Sequence, residues 1–508
     1  MIDKISNNKR IAKNTTLLYI RMFFLMIINL YTTRVVLNVL GIEDYGIYEV
    51  IGGMVALFGV VSQSLSTAGT RFLNFEMGRD NLIRLKEVFS TSVTIQLFLT
   101  IIVFALIEFV GVWYLNNKIV ISEDRLEAAF WVTQFSILTF CVNLISVPYN
   151  SAIIAHERMS AFAYISIYEG ITKLAVAYFL LISPFDKLVG YAFLLFLIQL
   201  SVRGIFIFYC RKHFEECQFK LHYNSELIKE LFGFAGWNFI GASSVVIRTQ
   251  GGNILINLFA GPTINAARGI ANLVNRSITG FSNNFMVAVN PQIIKSYASG
   301  DIEYMETLVN TSAKYSFFLL WTLSLPIILN IDYILLLWLK EVPAQTNLFV
   351  ILTMIYSMME SFSSPLITAQ LATGNVRNYQ LIVGGLNLLN IPISYLLMRL
   401  GYPVICFLLV AIILSFVCLI ARLILVRKNS GLNSYCFVRY VFFKAFAVVC
   451  LSFPLPGFIA FVLDNNLSSM IISFVISIIS SVVSILFIGC SLSERQKLYC
   501  LIKNRFSK

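Results

Sequence analysis

Charge is scarce in this chain. Only 13% of its 508 residues are Asp, Glu, Lys or Arg, against about 25% in soluble domains. Hydrophobic residues make up 58% and the mean hydropathy is +0.79. Too few polar groups are present to cover the surface of a water-soluble protein, and no polar linker divides the chain into domains. Histidine is nearly absent. The three present, His156, His213 and His222, have no mutual spacing that would hold a metal. No Walker A motif occurs, which excludes ATP as the direct energy source, and no glycine-rich dinucleotide fingerprint occurs. The nine cysteines are odd in number and include no C-x-x-C. Cys141, Cys406, Cys418, Cys450 and Cys490 lie in apolar runs, and Cys217, Cys436 and Cys500 lie in basic segments. They read as small packing residues, with neither a disulfide framework nor a zinc site.

What is present is apolar sequence in spans. Crossing the hydrocarbon core takes about 20 residues, and about fourteen stretches qualify. They run 15–38, 45–68, 88–114, 128–150, 160–182, 188–210, 228–258, 264–290, 309–331, 346–371, 378–399, 403–426, 438–462 and 467–490, and are numbered spans 1 to 14 below. Turn signals separate several: Gly41 before Glu43-Asp44, Ser183-Pro184, Gly261-Pro262, Gly401-Tyr402-Pro403 and Asp464-Asn465-Asn466. The polar segment Met1 to Asn14 leads into an apolar run without a small-residue cleavage site, which predicts a retained first span. The fold expected is an all-α polytopic membrane protein.

Alternate loops are rich in Lys and Arg. The N-terminus carries Lys4, Lys9, Arg10 and Lys13. The second loop carries Arg71, Arg79, Arg84 and Lys86, and the sixth carries Arg211, Lys212, Lys220 and Lys229. The C-terminal tail carries Arg495, Lys497, Lys503, Arg505 and Lys508. The positive-inside bias makes this side cytoplasmic, with both termini inside. The net charge of +12 follows from that bias and from attraction to membrane lipids. Basic residues dispersed over many loops argue against a nucleic-acid partner. The longest loop on the opposite side, around Asn116 to Glu127, is too short to carry the catalytic residues of an intramembrane polymerase or ligase.

An internal repeat is visible at an offset of about 220 residues. Val36-Leu37-Asn38-Val39-Leu40-Gly41 resembles Leu255-Ile256-Asn257-Leu258-Phe259-Ala260. Gly78-Arg79-Asp80 resembles Ser299-Gly300-Asp301. Pro148, Ala152 and Ala155 match Pro365, Ala369 and Ala372, and Tyr178 matches Tyr395. Six spans per copy is an even number, so the repeat is parallel. The expected division is an N-lobe at 1–215, a C-lobe at 216–430, and two additional spans with a basic tail at 431–508. Two lobes imply a cleft in which a substrate binds.

Charges inside spans are costly and normally face a cavity or a partner. Here they are mostly positive: Arg21, Arg34, Lys173, Arg203, Arg248, Arg268, Arg276 and Arg422. The acids are Glu49, Glu108, Glu169 and Glu360. Arg203 and Arg422 lie near helix ends and are expected to snorkel to headgroups. Lys173 is expected to pair with Glu169 at i,i+4. Arg248 and Arg276 lie too deep to snorkel; Arg276 is about 18 Å into its span at 1.5 Å per residue. Arg268 and Arg276 share a broad face, about 80° apart. A cleft lined by Arg21, Arg34, Arg248, Arg268 and Arg276 would take an anionic cargo, and guanidinium forks suit phosphate. In span 7, Gly233, Gly236, Gly241, Gly251 and Gly252 serve either as a hinge or for close helix packing. In span 8, Asn272, Asn275, Ser282, Asn283 and Asn284 form a polar face expected to line water and able to bind sugar.

Several segments resemble the bacterial Wzx-type oligosaccharide flippases of the multidrug/oligosaccharidyl-lipid/polysaccharide exporter superfamily. They are Asn265-Ala266-Ala267-Arg268-Gly269-Ile270-Ala271 with Asn290 to Asp301, Val147-Pro148-Tyr149-Asn150 with Ala155-His156-Glu157-Arg158-Met159, and Asn387 to Tyr395 with Gly401-Tyr402. The resemblance covers nearly the whole chain. It implies two six-helix lobes around a V-shaped cavity, with two extra helices as in the peptidoglycan lipid II flippase MurJ. It implies a bacterial inner-membrane protein that moves a sugar repeat unit on undecaprenyl pyrophosphate to the periplasmic leaflet for surface polysaccharide such as O-antigen or capsule. It implies that Arg21, Arg34, Arg248, Arg268 and Arg276 hold the pyrophosphate, with Asn283 and Asn284 available to the cargo. Span 2 departs from the pattern, offering Glu49 and no arginine. No cofactor is implied beyond a proton or sodium gradient, for which Glu49 and Glu360 are the candidates. A polysaccharide polymerase and a chain-length regulator are the implied protein partners. A cation-coupled multidrug exporter of the same superfamily is the alternative, although such a pocket would be acidic where this interior is basic.

Overall fold

The computed structural model describes residues 2–56, 58–117, 123–182, 186–218, 224–339, 342–463, 466–491 and 494–496. Those residues are almost entirely helical, with no strand among them. A helix satisfies every backbone hydrogen bond within its own segment, as lipid requires. Among the described residues, twelve helices are long and apolar enough to cross a membrane. The two remaining expected spans are also helical but more polar. Span 2 is the end of Ile2–Ala56 followed by Gly59–Gly78, and span 8 is the second part of Ser225–Ala298.

Both long helices kink at one residue. Gly41 has φ 82° and ψ 169°, and Gly261 has φ 77° and ψ −177°. Only glycine adopts this backbone without strain, and the two kinks lie about 220 residues apart, at the repeat offset. The next helix ends match as well. Asp80 (φ 55°) donates its N–H to Met77 O at 3.3 Å, and the Asn81 N–H reaches Glu76 O at 3.2 Å. Gly300 (φ 78°) does the same to Tyr297 O at 3.1 Å, with the Asp301 N–H to Ser296 O at 3.0 Å. Each is a Schellman cap, closing one helix just before the next begins.

The chain divides into two compact units, Met1–Ala242 and Ser243–Lys508. The division between them falls inside the helix Ser225–Ala298. In the first unit Leu126–Ile145 packs against Lys187–His213, and the N-terminal helix packs against Met159–Ile182. Arg71, expected in a loop, lies inside the helix Gly59–Gly78. It is buried, with its guanidinium 4.5, 4.6 and 5.5 Å from the rings of Phe72, Phe75 and Phe234. The helix of span 2 thus runs on past residue 68 and carries an arginine near its end, packed among phenylalanines.

In the second unit Thr346–Ala372 packs between Ile302–Leu329 and Cys406–Ser430. The last two spans belong to this unit. Leu467–Ser484 lies on Ile302–Leu329 and buries Ser473, Ser477, Ser481 and Ser484. Small residues at helical spacing let two backbones approach closely. Trp321 Nε1 donates to Ser452 Oγ at 2.8 Å, and Asn330 donates to Ser473 Oγ at 3.0 Å. Buried Lys314 donates to both oxygens of Glu494, at 2.8 and 2.9 Å, and so ties down the segment after the last span.

Candidate cationic sites within each unit

In the first unit, polar groups converge on Glu169. Lys173 donates to its carboxylate at 2.6 Å and Gln199 at 2.7 Å. The expected i,i+4 pair is present. Glu169 is also the carboxylate whose field reaches Arg21 and Arg203. Arg21 lies 4.4 Å over the ring of Phe162, and its buried Nε has no hydrogen-bond acceptor among the described residues. Arg203 does not reach toward headgroups; its Nε donates to Asn143 Oδ1 at 2.8 Å. Beside these groups lies a cavity of about 290 Å³ whose lining includes Tyr48, Ser136, Thr139, Asn143, Lys173 and Gln199. More positive than negative groups face one another here. Arg34 is exposed, one turn from Tyr31, whose hydroxyl meets that of Tyr178 at 2.6 Å. The side chain of Glu49 lies outside the described residues.

In the second unit, Arg248 is half-buried with its guanidinium 4.8 Å over the ring of Tyr356. One turn further along that helix is Glu360. It accepts from Ser415 Oγ at 2.5 Å and pairs with Arg422 at 3.4 Å. Arg422 is 4% exposed, with Nη1 donating to Ser363 Oγ at 2.7 Å and Nε to Tyr379 at 3.2 Å. The snorkelling expected of Arg422 is therefore incorrect, since the helices of Glu360 and Tyr379 enclose it. As a coupling candidate Glu360 enters with a counter-ion already attached.

Arg268 and Arg276 share a helix but not an environment. Arg268 is 5% exposed and lies 4.7 Å over the ring of Phe407, with Nη2 donating to Thr249 O at 3.1 Å. Its Nη1 is buried without a hydrogen-bond partner among the described residues, and the like charge of Arg248 acts on it. Gly252 makes room for this packing. A Cβ there would collide with the Phe407 ring and stand 2.7 Å from Arg268 Nη1. Gly251 is similarly tight against Ile391. At these two positions the glycines of span 7 serve close packing rather than a hinge.

Arg276 is exposed, and so is Asn283 almost two turns on. Asn272, Arg276, Thr279 and Asn283 fall on one side of the helix by their spacing. Ser282, expected on that face, is buried within the unit. Asn284 turns its amide back on Gly280 O at 2.8 Å. The open polar face is thus narrower than the sequence suggests and is centred on Arg276 and Asn283.

Comparison with protein-family models and with curated proteins finds no match. Among solved structures, an outward-facing multidrug resistance MATE family transporter of the MOP superfamily is 13% identical with a TM-score of 0.70, over 84% of this chain and 97% of that one. This chain shares the fold of that transporter. A MATE protein in the bent conformation gives a TM-score of 0.71 at 13% identity, over 84% and 96% of the two chains. A MOP superfamily transporter from Pyrococcus furiosus gives 0.68 at 12% identity, again over 84% and 96%; its description attributes to it a binding pocket of reversed polarity and a different function. At these identities the likeness concerns fold alone.

Proposed function

We propose that this protein is a transporter whose cargo is an amphiphile with an anionic head, and that the cargo is an oligosaccharide carried on undecaprenyl pyrophosphate. The observation that carries the reading is Arg276, exposed on a span expected to lie in lipid, with Asn283 on the same face. An uncompensated arginine at that depth calls for a partner charge. Arg248 and Arg34 add guanidinium groups that no carboxylate among the described residues neutralises. Amides beside a cation suit a sugar next to a pyrophosphate. In this reading the protein lies in the bacterial inner membrane with both termini cytoplasmic, and a proton or sodium gradient drives it. A polymerase and a chain-length regulator receive the cargo.

The second reading is a cation-coupled multidrug exporter, and the fold comparison favours it, since a neighbour named for multidrug resistance belongs to the MATE family. Gene deletion separates the two. In the first reading an undecaprenyl-linked oligosaccharide accumulates inside the deleted cell and surface polysaccharide is lost. In the second, lipid intermediates stay level while intracellular cationic dye rises.

A further inference from the structure

One cavity within the first unit lies away from the cationic cluster. It measures about 700 Å³ and lies at the end of the unit opposite the Lys- and Arg-rich loops, between the start of Leu126–Ile145, the end of Met159–Ile182 and the start of Lys187–His213. Ligand sites commonly fall in this size range. Its walls are aromatic. Trp131 stacks on Phe135 with ring centroids 6.0 Å apart, and Phe135 meets Phe193 at 5.3 Å. Trp131, Phe179 and Phe193 are 45%, 54% and 41% exposed, so the cavity is open along the outer face of these apolar helices.

The rim is acidic. Asp124, Glu127, Trp131 and Phe135 recur at three- and four-residue spacing and form one continuous strip. Asp124 and Glu127 are exposed and have no ion-pair partner among the described residues. The one arginine at the rim is committed elsewhere. Arg125 Nε donates to Asp44 Oδ1 at 2.8 Å, Arg125 Nη2 donates to Asp44 Oδ2, and Nη1 donates to Asp186 Oδ2 at 2.6 Å. Asp186 is also occupied, since it caps the next helix by accepting the Val189 N–H at 3.0 Å. The charge left for a ligand is therefore negative.

We propose that this cavity binds a phospholipid with an ammonium headgroup, of the ethanolamine type. Its acyl chain lies along the strip of Trp131, Phe135, Phe179 and Phe193. Its ammonium group sits between Asp124 and Glu127, within reach of the Trp131 face. An anionic lipid at the same place would meet Asp124, Glu127 and Asp186 with no arginine available. The site is separate from the proposed cargo contacts and does not depend on what the cargo is.

The test uses the full chain in lipid nanodiscs holding ethanolamine and glycerol phospholipids in equal amounts. Each lipid in turn carries a photoactivatable diazirine on its acyl chain, and labelled peptides are mapped by mass spectrometry. Labelling of 126–135 and 187–194 is expected to be at least threefold higher from the ethanolamine lipid, while the last two spans, in the same molecules, label equally from both. The D124N/E127Q variant is expected to bring the ratio to parity, and D124K/E127K to invert it. Parity or a glycerol-lipid preference in the unaltered protein overturns the proposal. So does a preference that survives D124N/E127Q, whose exposed sites and equal labelling of the last two spans keep its folding in check.

Discussion

Arg422 joins Glu360 at 3.4 Å, and at the equivalent place in the first unit Arg203 joins Asn143 at 2.8 Å. Asn143 and Glu360 share the offset that relates Pro148 to Pro365, and Arg203 and Arg422 lie within two residues of it. The fold thus keeps an arginine on its sixth and twelfth spans and a polar acceptor on its fourth and tenth. It places the counter-charge differently, however. In the second unit the acceptor itself is the carboxylate. In the first the acceptor is neutral, and the carboxylate is Glu169 on the fifth span.

Arg422 is buried and Glu360 partly so; removing either leaves the other charge uncompensated, which costs up to about 3–5 kcal/mol. E360Q is therefore expected to lower the melting temperature sharply, measured by detergent-solubilised thermal aggregation. R422M should do the same, because Glu360 then loses its cation. The double variant E360Q/R422M should melt higher than either single one. Additive losses would mean that the two side chains are not energetically coupled.

The first unit allows the complementary exchange. E169Q withdraws the only carboxylate near Lys173, Arg21 and Arg203 in the described cluster, and stability should fall by several kcal/mol. N143D would place a carboxylate against Arg203, as the second unit already has. The combination E169Q/N143D should recover part of the melting temperature lost in E169Q. No recovery would show that Lys173, rather than Arg203, needs the charge.

Gly252 offers a steric prediction. The Phe407 ring stands where a Cβ would lie, and Arg268 is held between that ring and Thr249 O. G252A should cost about 1–3 kcal/mol from overpacking. G252A/F407L should regain stability because the leucine leaves room for the methyl group. A G252A protein that melts like the unaltered one would place Arg268 in a looser site.

Local features of this fold were legible in the sequence and lateral ones were not. The spans followed from runs of apolar residues, and the turn signals at Gly41 and Gly261-Pro262 fall where the structure kinks its two long helices instead of breaking them. The Glu169–Lys173 pair followed from its spacing on a single helix. Arg422 was misread because depth along a helix says nothing of direction around it. Its partners, Glu360, Ser363 and Tyr379, come from two other helices. Ser282 and Asn283 are neighbours in sequence but about 100° apart around the axis, so one is buried and the other open. The stripe Ser473, Ser477 and Ser481 was a missed signal: its four-residue spacing marks the face on which the last span packs.

The Arg125 clasp predicts a pH dependence outside the membrane. Partial burial acts to raise the Asp186 carboxyl, but the Val189 N–H and Arg125 outweigh it and hold the carboxyl below its ordinary range. A depressed carboxyl contributes stability above its unfolded value, near 3.9, and loses it as the pH falls through the folded value. The stability difference between the unaltered protein and D186N should stay constant from about pH 5 to 8 and shrink below about pH 4. Thermal melts across that range test it. A difference that grows on acidification would give Asp186 the opposite sign.

The face around Arg276 can be tested without knowing the cargo. If Arg276 and Asn283 line an aqueous path, single cysteines at both positions should react with a membrane-impermeant maleimide in whole cells or inverted vesicles. The native cysteines supply a background, and most of the described ones are buried. S282C should be protected, because Ser282 packs inside its unit. Saturating the cells with a phosphorylated amphiphile should slow labelling at both reactive sites if an anionic head occupies that face, whereas a cationic dye should not. Equal reactivity at 282 and 283 would mean the helix is rotated from its described orientation. Protection of all three positions would place the face against lipid, and Arg276 would then need a different partner.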